Sequence, residues 1–205
     1  MPAIAKSGYH FPNRIVRSLL LALEDVTGKN GVSAVLNLAG LSSWVDHFPV
    51  DDMEQGVDFA EVSAIHTALE EVYGARAGRA FSRRTAAAML QAWGHVPPLS
   101  GMLPAVDNPE DVLPALTALA EAVSNSSDQS CAVSQTPGAL LFTVARCPVC
   151  WGRASQEPLC STMVGLLEET THRLNPGQSL SVEETHCIAR GDPACVFCLV
   201  KAPAA

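Results

Sequence analysis

Seven cysteines in 205 residues, six of them crowded into the last third, constrain this chain more than any other feature. Cys147, Cys150, Cys160, Cys187, Cys195 and Cys198 sit close together in sequence, and Cys131 stands apart. An odd number of thiols cannot all pair as disulfides. The stretch from Met1 to Phe11 carries Lys6, Gly8 and His10 where a secretory signal would need an unbroken apolar core. The expectation is a cytoplasmic protein whose cysteines are reduced or metal-bound.

Cys147-Pro-Val-Cys150 is a CxxC knuckle, whose tight turn lets two thiolates approach one ion from the same side. A second group, Glu184, Cys187 and Cys195, falls on an expected hairpin. Cys160 comes at the start of an expected helix, where unpaired backbone N–H groups favour a thiolate. Soft sulfur donors with one carboxylate suit zinc better than a hard cation. Spacing poses a difficulty, because Glu184 and Cys187 are an odd number apart and a regular strand would send them to opposite faces. A shared ion then needs a bulge, or a strand that ends before Cys187; by spacing alone Glu183 is the better partner. Two other readings stand beside the metal: a cross-strand disulfide between Cys187 and Cys195, and Cys131 and Cys198 as core fillers in apolar strands.

The elements that carry these residues follow from periodicity. Asn13 can cap a helix with Ile15, Val16, Leu19, Leu20, Leu23 and Val26 on one stripe, stopped by Gly28. A short helix from Gly31 to Ala39 follows. Asp51 and Asp52 are read as opening a third helix, bearing Val62, Ile65, Leu69 and Val72, and Gly78 to Trp93 as a fourth. The next starts at Asn108-Pro109 or Asp111, with the later start favoured because Pro114 fits only a first turn. After Ser124 the pattern changes. Cys131 to Thr136 and Ala139 to Arg146 read as strands about a Pro137-Gly138 turn, Ser161 to Leu174 as a helix, and Leu180 to Ile188 and Ala194 to Val200 as a closing hairpin. The expected fold class is α+β, one domain over 1–205. Its first part, 1–124, is mainly helical; 125–205 holds the sheet, one helix and the metal site.

Composition trims the functional classes. Hydrophobic residues make up 48% and charged residues 17%, which argues for a substantial core and against disorder. Acidic residues outnumber basic ones 21 to 13, which argues against a nucleic-acid partner. The uncharged run from Thr85 to Val106 is long enough for a membrane span. However, Gln91, Gly94, His95, Pro97, Pro98, Gly101 and Pro104 interrupt it, so it reads as a helix end and an apolar loop.

Four runs together resemble the 4-vinyl reductase domain family: Cys147-Pro-Val-Cys150-Trp151-Gly152, Pro158-Leu-Cys160, Val182-Glu-Glu184-Thr-His-Cys187 and Gly191-Asp192-Pro-Ala-Cys195-Val-Phe197. Phe11-Pro-Asn13-Arg-Ile-Val-Arg17 and Asn37-Leu-Ala-Gly40-Leu41 resemble its stand-alone, hydrocarbon-binding members. The resemblance implies a helical layer packed on an antiparallel sheet, a TRAPP-like ligand-binding fold that is commonly a homodimer around an apolar pocket. It also implies a zinc held by Cys160, Glu184, Cys187 and Cys195, which favours Glu184 over Glu183. Cys147 and Cys150 lie outside that set, as a second thiolate site or close to the first. An iron–sulfur cluster on Cys147, Cys150 and Cys160 stays open as the lesser alternative.

A zinc with three thiolates and a carboxylate has no open position, and so is structural rather than catalytic. The leading expectation is therefore a binder of a hydrophobic small molecule, hydrocarbon or tetrapyrrole-like. Trp93, His95, Met102, Phe142 and Trp151 are its candidate pocket residues, with His95 or His66 supplying a polar group. The second reading is an enzyme reducing a vinyl group on a chlorophyll or bacteriochlorophyll precursor. That chemistry needs an electron donor, and no GxGxxG follows a strand here. The third is a partner-binding protein using the apolar loop Pro97 to Pro104, which serves equally as a buried lid.

Overall fold

The computed structural model describes residues 3–93, 112–174 and 180–201. Two short strands, β1 (His10–Phe11) and β2 (Val57–Asp58), pair antiparallel and bring the N-terminal segment beside the start of α2 (Phe59–Tyr73). Between them runs α1 (Asn13–Leu38), broken at Gly28, whose φ of 75° leaves the helical region. Glycine adopts that conformation without a Cβ clash, and the two expected helices are therefore found, joined at the expected stop.

The start of α2 differs from expectation. Asp51 and Asp52 do not open it: Asp51 receives Arg14 Nε at 2.6 Å, and Asp52 Oδ1 receives Asn13 Nδ2 at 2.8 Å. Both carboxylates fasten the loop before β2 to the first turn of α1. The cap is Asp58, whose side chain accepts from the Ala60 amide at 2.8 Å while Glu61 reaches back to the Asp58 amide at 2.9 Å. This reciprocal pair satisfies donors that the first turn leaves open. Asn13 likewise lies inside α1, and Pro12 holds the cap position.

Helix α3 (Ala75–Trp93) follows directly, and α4 (Val112–Ser126) precedes the sheet. The four strands are β3 (Cys131–Thr136), β4 (Ala139–Val144), β5 (Leu180–His186) and β6 (Cys195–Lys201), antiparallel in the order β3-β4-β6-β5. Helix α5 (Ser161–Leu174) crosses between β4 and β5 and packs against both α3 and β5. Gly165 permits the α3–α5 contact, since a Cβ there would overlap the Arg83 carbonyl. The ion pair of Arg83 with Glu168 spans the same contact. The architecture is α+β, as expected.

Three apolar clusters form the interior. One lies between the sheet, α4 and the cysteine loops, and contains Phe142, Phe197, Leu116 and Leu119. A second joins α1 to α2 through Leu20, Leu36, Ile65 and Leu69. The third joins α1, α3 and α5 through Leu19, Ala86, Leu90 and Leu166. Among the described residues no helix is long and apolar enough to cross a membrane.

Candidate functional site

The cysteine cluster is assembled from three separate pieces of chain. The loop after β4 carries Cys147 and Cys150, the N-terminus of α5 carries Cys160, and the β5–β6 hairpin carries Glu184, Cys187 and Cys195. The hairpin is irregular where the odd spacing requires it. Its register shifts between Glu184 and His186, β5 ends at His186, and a 3-10 turn (Ile188–Arg190) follows. Glu184 and Cys187 thereby face the same point, and Glu183 stays on the exposed face opposite Cys198. Asp192 holds the turn, accepting the Cys187 amide at 2.7 Å.

The ligand atoms of Cys150, Cys160, Glu184, Cys187 and Cys195 all lie within 4.8 Å of one another, and all five residues are buried. Cys150 Sγ is 3.2 Å from Cys160 Sγ, 3.4 Å from Cys187 Sγ and 3.6 Å from Cys195 Sγ; Cys160 and Cys195 are also 3.6 Å apart. Cys147 Sγ lies 3.1 Å from Cys160 Sγ. The knuckle pair thus joins the same centre as the four residues named from the resemblance, and does not form a separate site. All seven cysteines are free thiols, so Cys187 and Cys195 are not a disulfide. Cys131 and Cys198 are half-buried and outside the cluster; burial pushes the Cys131 thiol up to about 12.

These groups would not gather without a cation if ionised. Two thiolates about 3.5 Å apart repel by roughly 5 kcal/mol even at an effective dielectric of about 20. Hydrogen bonding with Cys147, Cys160, Cys187 and Cys195 nonetheless holds the Cys150 thiol far below its ordinary range, while contacts with Cys147 and Cys150 raise Cys160 and Cys195. Burial pushes the Glu184 carboxyl up to about 8, opposed by the Cys160 amide that donates to its Oε2 at 2.7 Å. Its other oxygen, Oε1, is buried without a hydrogen-bond partner. A buried orphan oxygen beside converging thiols is the pattern a bound metal ion resolves.

The surroundings fix the knuckle. Ser63 Oγ donates to the Trp151 carbonyl at 2.7 Å, and Arg153 pairs with Glu70 of α2 at 2.8 Å, both nearly out of solvent. Trp151 Nε1 donates to the Ala5 carbonyl at 2.9 Å, and its ring meets Tyr9 edge-on.

Beside the centre, where the three apolar clusters meet, lies a cavity of about 80 Å³. Ile15, Leu19, Ala86 and Met89 line it from the helical side; Cys147, Val149, Cys160 and Phe197 line it from the other. His66 supplies an imidazole, with Nδ1 3.2 Å from Ser82 Oγ and Nε2 3.5 Å from Thr162 Oγ1. Burial, with Arg153 nearby, pushes His66 down to about 3, so the ring is neutral at ordinary pH. Phe142 and Trp151 do not line this cavity: Phe142 lies in the sheet core opposite Phe197, and Trp151 packs on Tyr9. The Trp93 side chain, His95, Met102 and the loop Pro97 to Pro104 lie outside the described residues. The lining residues that sequence reasoning missed, such as Ile15 with Leu19 and Met163 with Leu166, share the helical spacing of plain core. Among the supports it missed, Asp192 alone had a sequence signal, the Gly-Asp-Pro turn.

The class of fold comes from solved structures. The chain is similar to H-NOX domains: a mutant of the T. tengcongensis protein (14% identity, TM-score 0.64, covering 94% of this chain and 98% of that one) and the Fe(II) unliganded protein from K. algicida (14%, TM-score 0.63, 94% and 97%). It is also similar to an oxygen-binding H-NOX domain related to soluble guanylate cyclases (15%, TM-score 0.61, 94% and 95%). At these identities the likeness is one of fold. Sequence kinship is more particular. Residues 140–201, which include every member of the thiol cluster, match the family model of the 4-vinyl reductase domain, and that segment belongs to this family. No curated protein matches the chain.

Proposed function

We propose that this protein binds a small apolar molecule in the cavity, against a wall held by a structural zinc ion. One observation carries the reading: Cys147 and Cys160 belong both to the thiol cluster and to the cavity lining. An ion that fixes Cys160 therefore also fixes the wall that a guest meets. The 4-vinyl reductase domain match and the oxygen-binding solved structure of the same fold support it. Zinc is favoured over an iron–sulfur cluster by the sulfur spacing. Thiolates on one tetrahedral ion with bonds of about 2.3 Å stand about 3.8 Å apart, close to the 3.2–3.6 Å edges made by Cys150 and Cys160. A cubane spreads its cysteines over several iron atoms, which needs far wider sulfur separations.

Size selects the guest. A cavity of about 80 Å³ is roughly half the engineered 150 Å³ cavity that stays dry and takes benzene. It suits a few heavy atoms or one end of a longer hydrocarbon. Haem, present in the H-NOX neighbours described for heme distortion, does not fit it, and nor does a chlorophyll-type macrocycle, since pockets for large ligands need about 300 Å³ or more. His66 also has both ring nitrogens directed to hydroxyls. The alternative, reduction of a vinyl group, rests on the family's name. The reading extends to one domain over 1–205 with a TRAPP-like relation, acting as a cytoplasmic homodimer without nucleic acid.

Elemental analysis with an absorption spectrum tests the metal: colourless protein with zinc is expected, and a brown iron chromophore would overturn zinc. Mass spectrometry of a solvent extract tests the guest. Ala86→Met, which fills the cavity, is expected to keep the zinc and lose the extracted compound. An unchanged compound would place binding elsewhere.

A further inference from the structure

We infer that the ion's four ligands are Cys150, Cys160, Cys187 and Cys195, an all-thiolate tetrahedron, with Glu184 against the centre and Cys147 left as an unligated thiol on the cavity wall. This deepens the metal reading above and departs from the three-thiolate, one-carboxylate set that the resemblance implies.

Geometry selects the four. A tetrahedral ion needs donors that are mutual neighbours, and here six groups compete for four places. Cys150 is the vertex shared by three short edges, to Cys160, Cys187 and Cys195. With the Cys160–Cys195 edge, four of the six edges of a tetrahedron lie between 3.2 and 3.6 Å. All four sulfurs also lie within 4.8 Å of one another. Cys147 is excluded by the same test: it meets Cys160 at 3.1 Å but falls outside the mutually close group, and it lines the cavity.

Glu184 has a different task. Its Oε2 takes the Cys160 amide at 2.7 Å, so it orients the thiol at the head of α5. Binding through Oε1 would require a fifth ligand position or the expulsion of Cys150, the most connected sulfur. Structural zinc is almost always four-coordinate. The class of ion is thus a borderline-soft divalent cation that accepts four sulfurs, zinc first and cobalt(II) as its spectroscopic substitute.

Cobalt(II) substitution of the full chain reads the ligand set directly, because the near-ultraviolet sulfur-to-cobalt band grows with each thiolate. Cys150→Ser is expected to lose about a quarter of that band, one thiolate of four, and to yield zinc to a chelator at least tenfold more readily. Glu184→Gln and Cys147→Ser are expected to keep the full band. Should Cys150→Ser keep it while Glu184→Gln changes the visible d–d spectrum, the carboxylate is a ligand and the inference falls, although the metal reading survives. A wild-type protein that takes up neither ion overturns both. If Cys150→Ser does not fold, X-ray absorption on the wild-type zinc protein decides instead: four sulfurs support the tetrahedron, and three sulfurs with one oxygen overturn it.

Discussion

The two walls of the cavity are built on different physics. On the cysteine side, Cys147, Val149 and Cys160 are held by directional contacts. Glu184 takes the Cys160 amide, Asp192 the Cys187 amide, Ser63 the Trp151 carbonyl, and Arg153 reaches Glu70. On the helical side, Ile15, Leu19, Ala86 and Met89 are held by apolar packing between α1, α3 and α5, with close approach allowed by Gly165. A wall of hydrogen bonds and metal bonds tolerates little displacement, whereas packed methyl groups can adjust by rotamer changes. The helical wall therefore sets the size of guest, and the cysteine wall sets its position.

The largest effect should come from the stiff wall. Cys160→Ser removes a ligand under every donor set considered, and structural zinc sites contribute on the order of 10 kcal/mol to folding in small domains. We expect loss of stoichiometric zinc and a fall in stability of several kcal/mol by urea unfolding. A variant as stable as wild type would remove the contrast altogether. Next comes His66, at the seam of the walls. Its folded pKa is lowered, to about 3 from 6.5, so the unfolded chain takes the proton first as pH falls. Stability should therefore be full above about pH 6.5 and decline toward pH 3, by on the order of 4 kcal/mol. Urea unfolding against pH, compared with His66→Gln, checks this; parallel curves would show that the ring is not buried neutral.

On the adaptable side, Gly165→Ala forces a methyl group toward the Arg83 carbonyl and should cost about 1–3 kcal/mol, with zinc content unchanged. Loss of zinc in that variant would mean that the walls are mechanically one. The smallest effect is expected at Asp58, away from both walls, whose carboxylate caps α2 and also receives the Ser7 and Gly8 amides. Burial raises its pKa, but these hydrogen bonds outweigh it and hold the group below 3.8. Asp58→Ala should cost about 0.5–2 kcal/mol at neutral pH, measured by urea unfolding. For the native protein this contribution is present above about pH 4 and is lost as pH falls through the lowered value.

Much of the frame was legible because its signals are local. Helix α5 has the bounds read from its apolar spacing, the Pro137-Gly138 turn joins β3 to β4 with Gly138 at φ 87°, and the helix break falls at Gly28. The error at α2 had a local cause as well. Two adjacent aspartates at 51 and 52 outweighed the Asp58-x-x-Glu61 pair that forms the real capping box. The pocket was not legible. Tryptophans and a phenylalanine stood out as large side chains, yet Phe142 fills the sheet core, while the cavity is lined by ordinary leucine, isoleucine, alanine and methionine.

The sequence by itself determined that sulfur chemistry sits in the last third, that a hairpin irregularity must bring Glu184 and Cys187 together, and that helices precede an antiparallel sheet. Ligand spacing and periodicity are properties of neighbours in the chain, so they can be read along it. Only the tertiary structure decided that Cys150 stands at the hub of the cluster, that Cys147 turns to the cavity, and that α1, α3 and α5 leave a gap beside them. Those facts depend on distances between segments up to 45 positions apart, such as Cys150 and Cys195. Such distances are set by how whole elements pack rather than by any local preference.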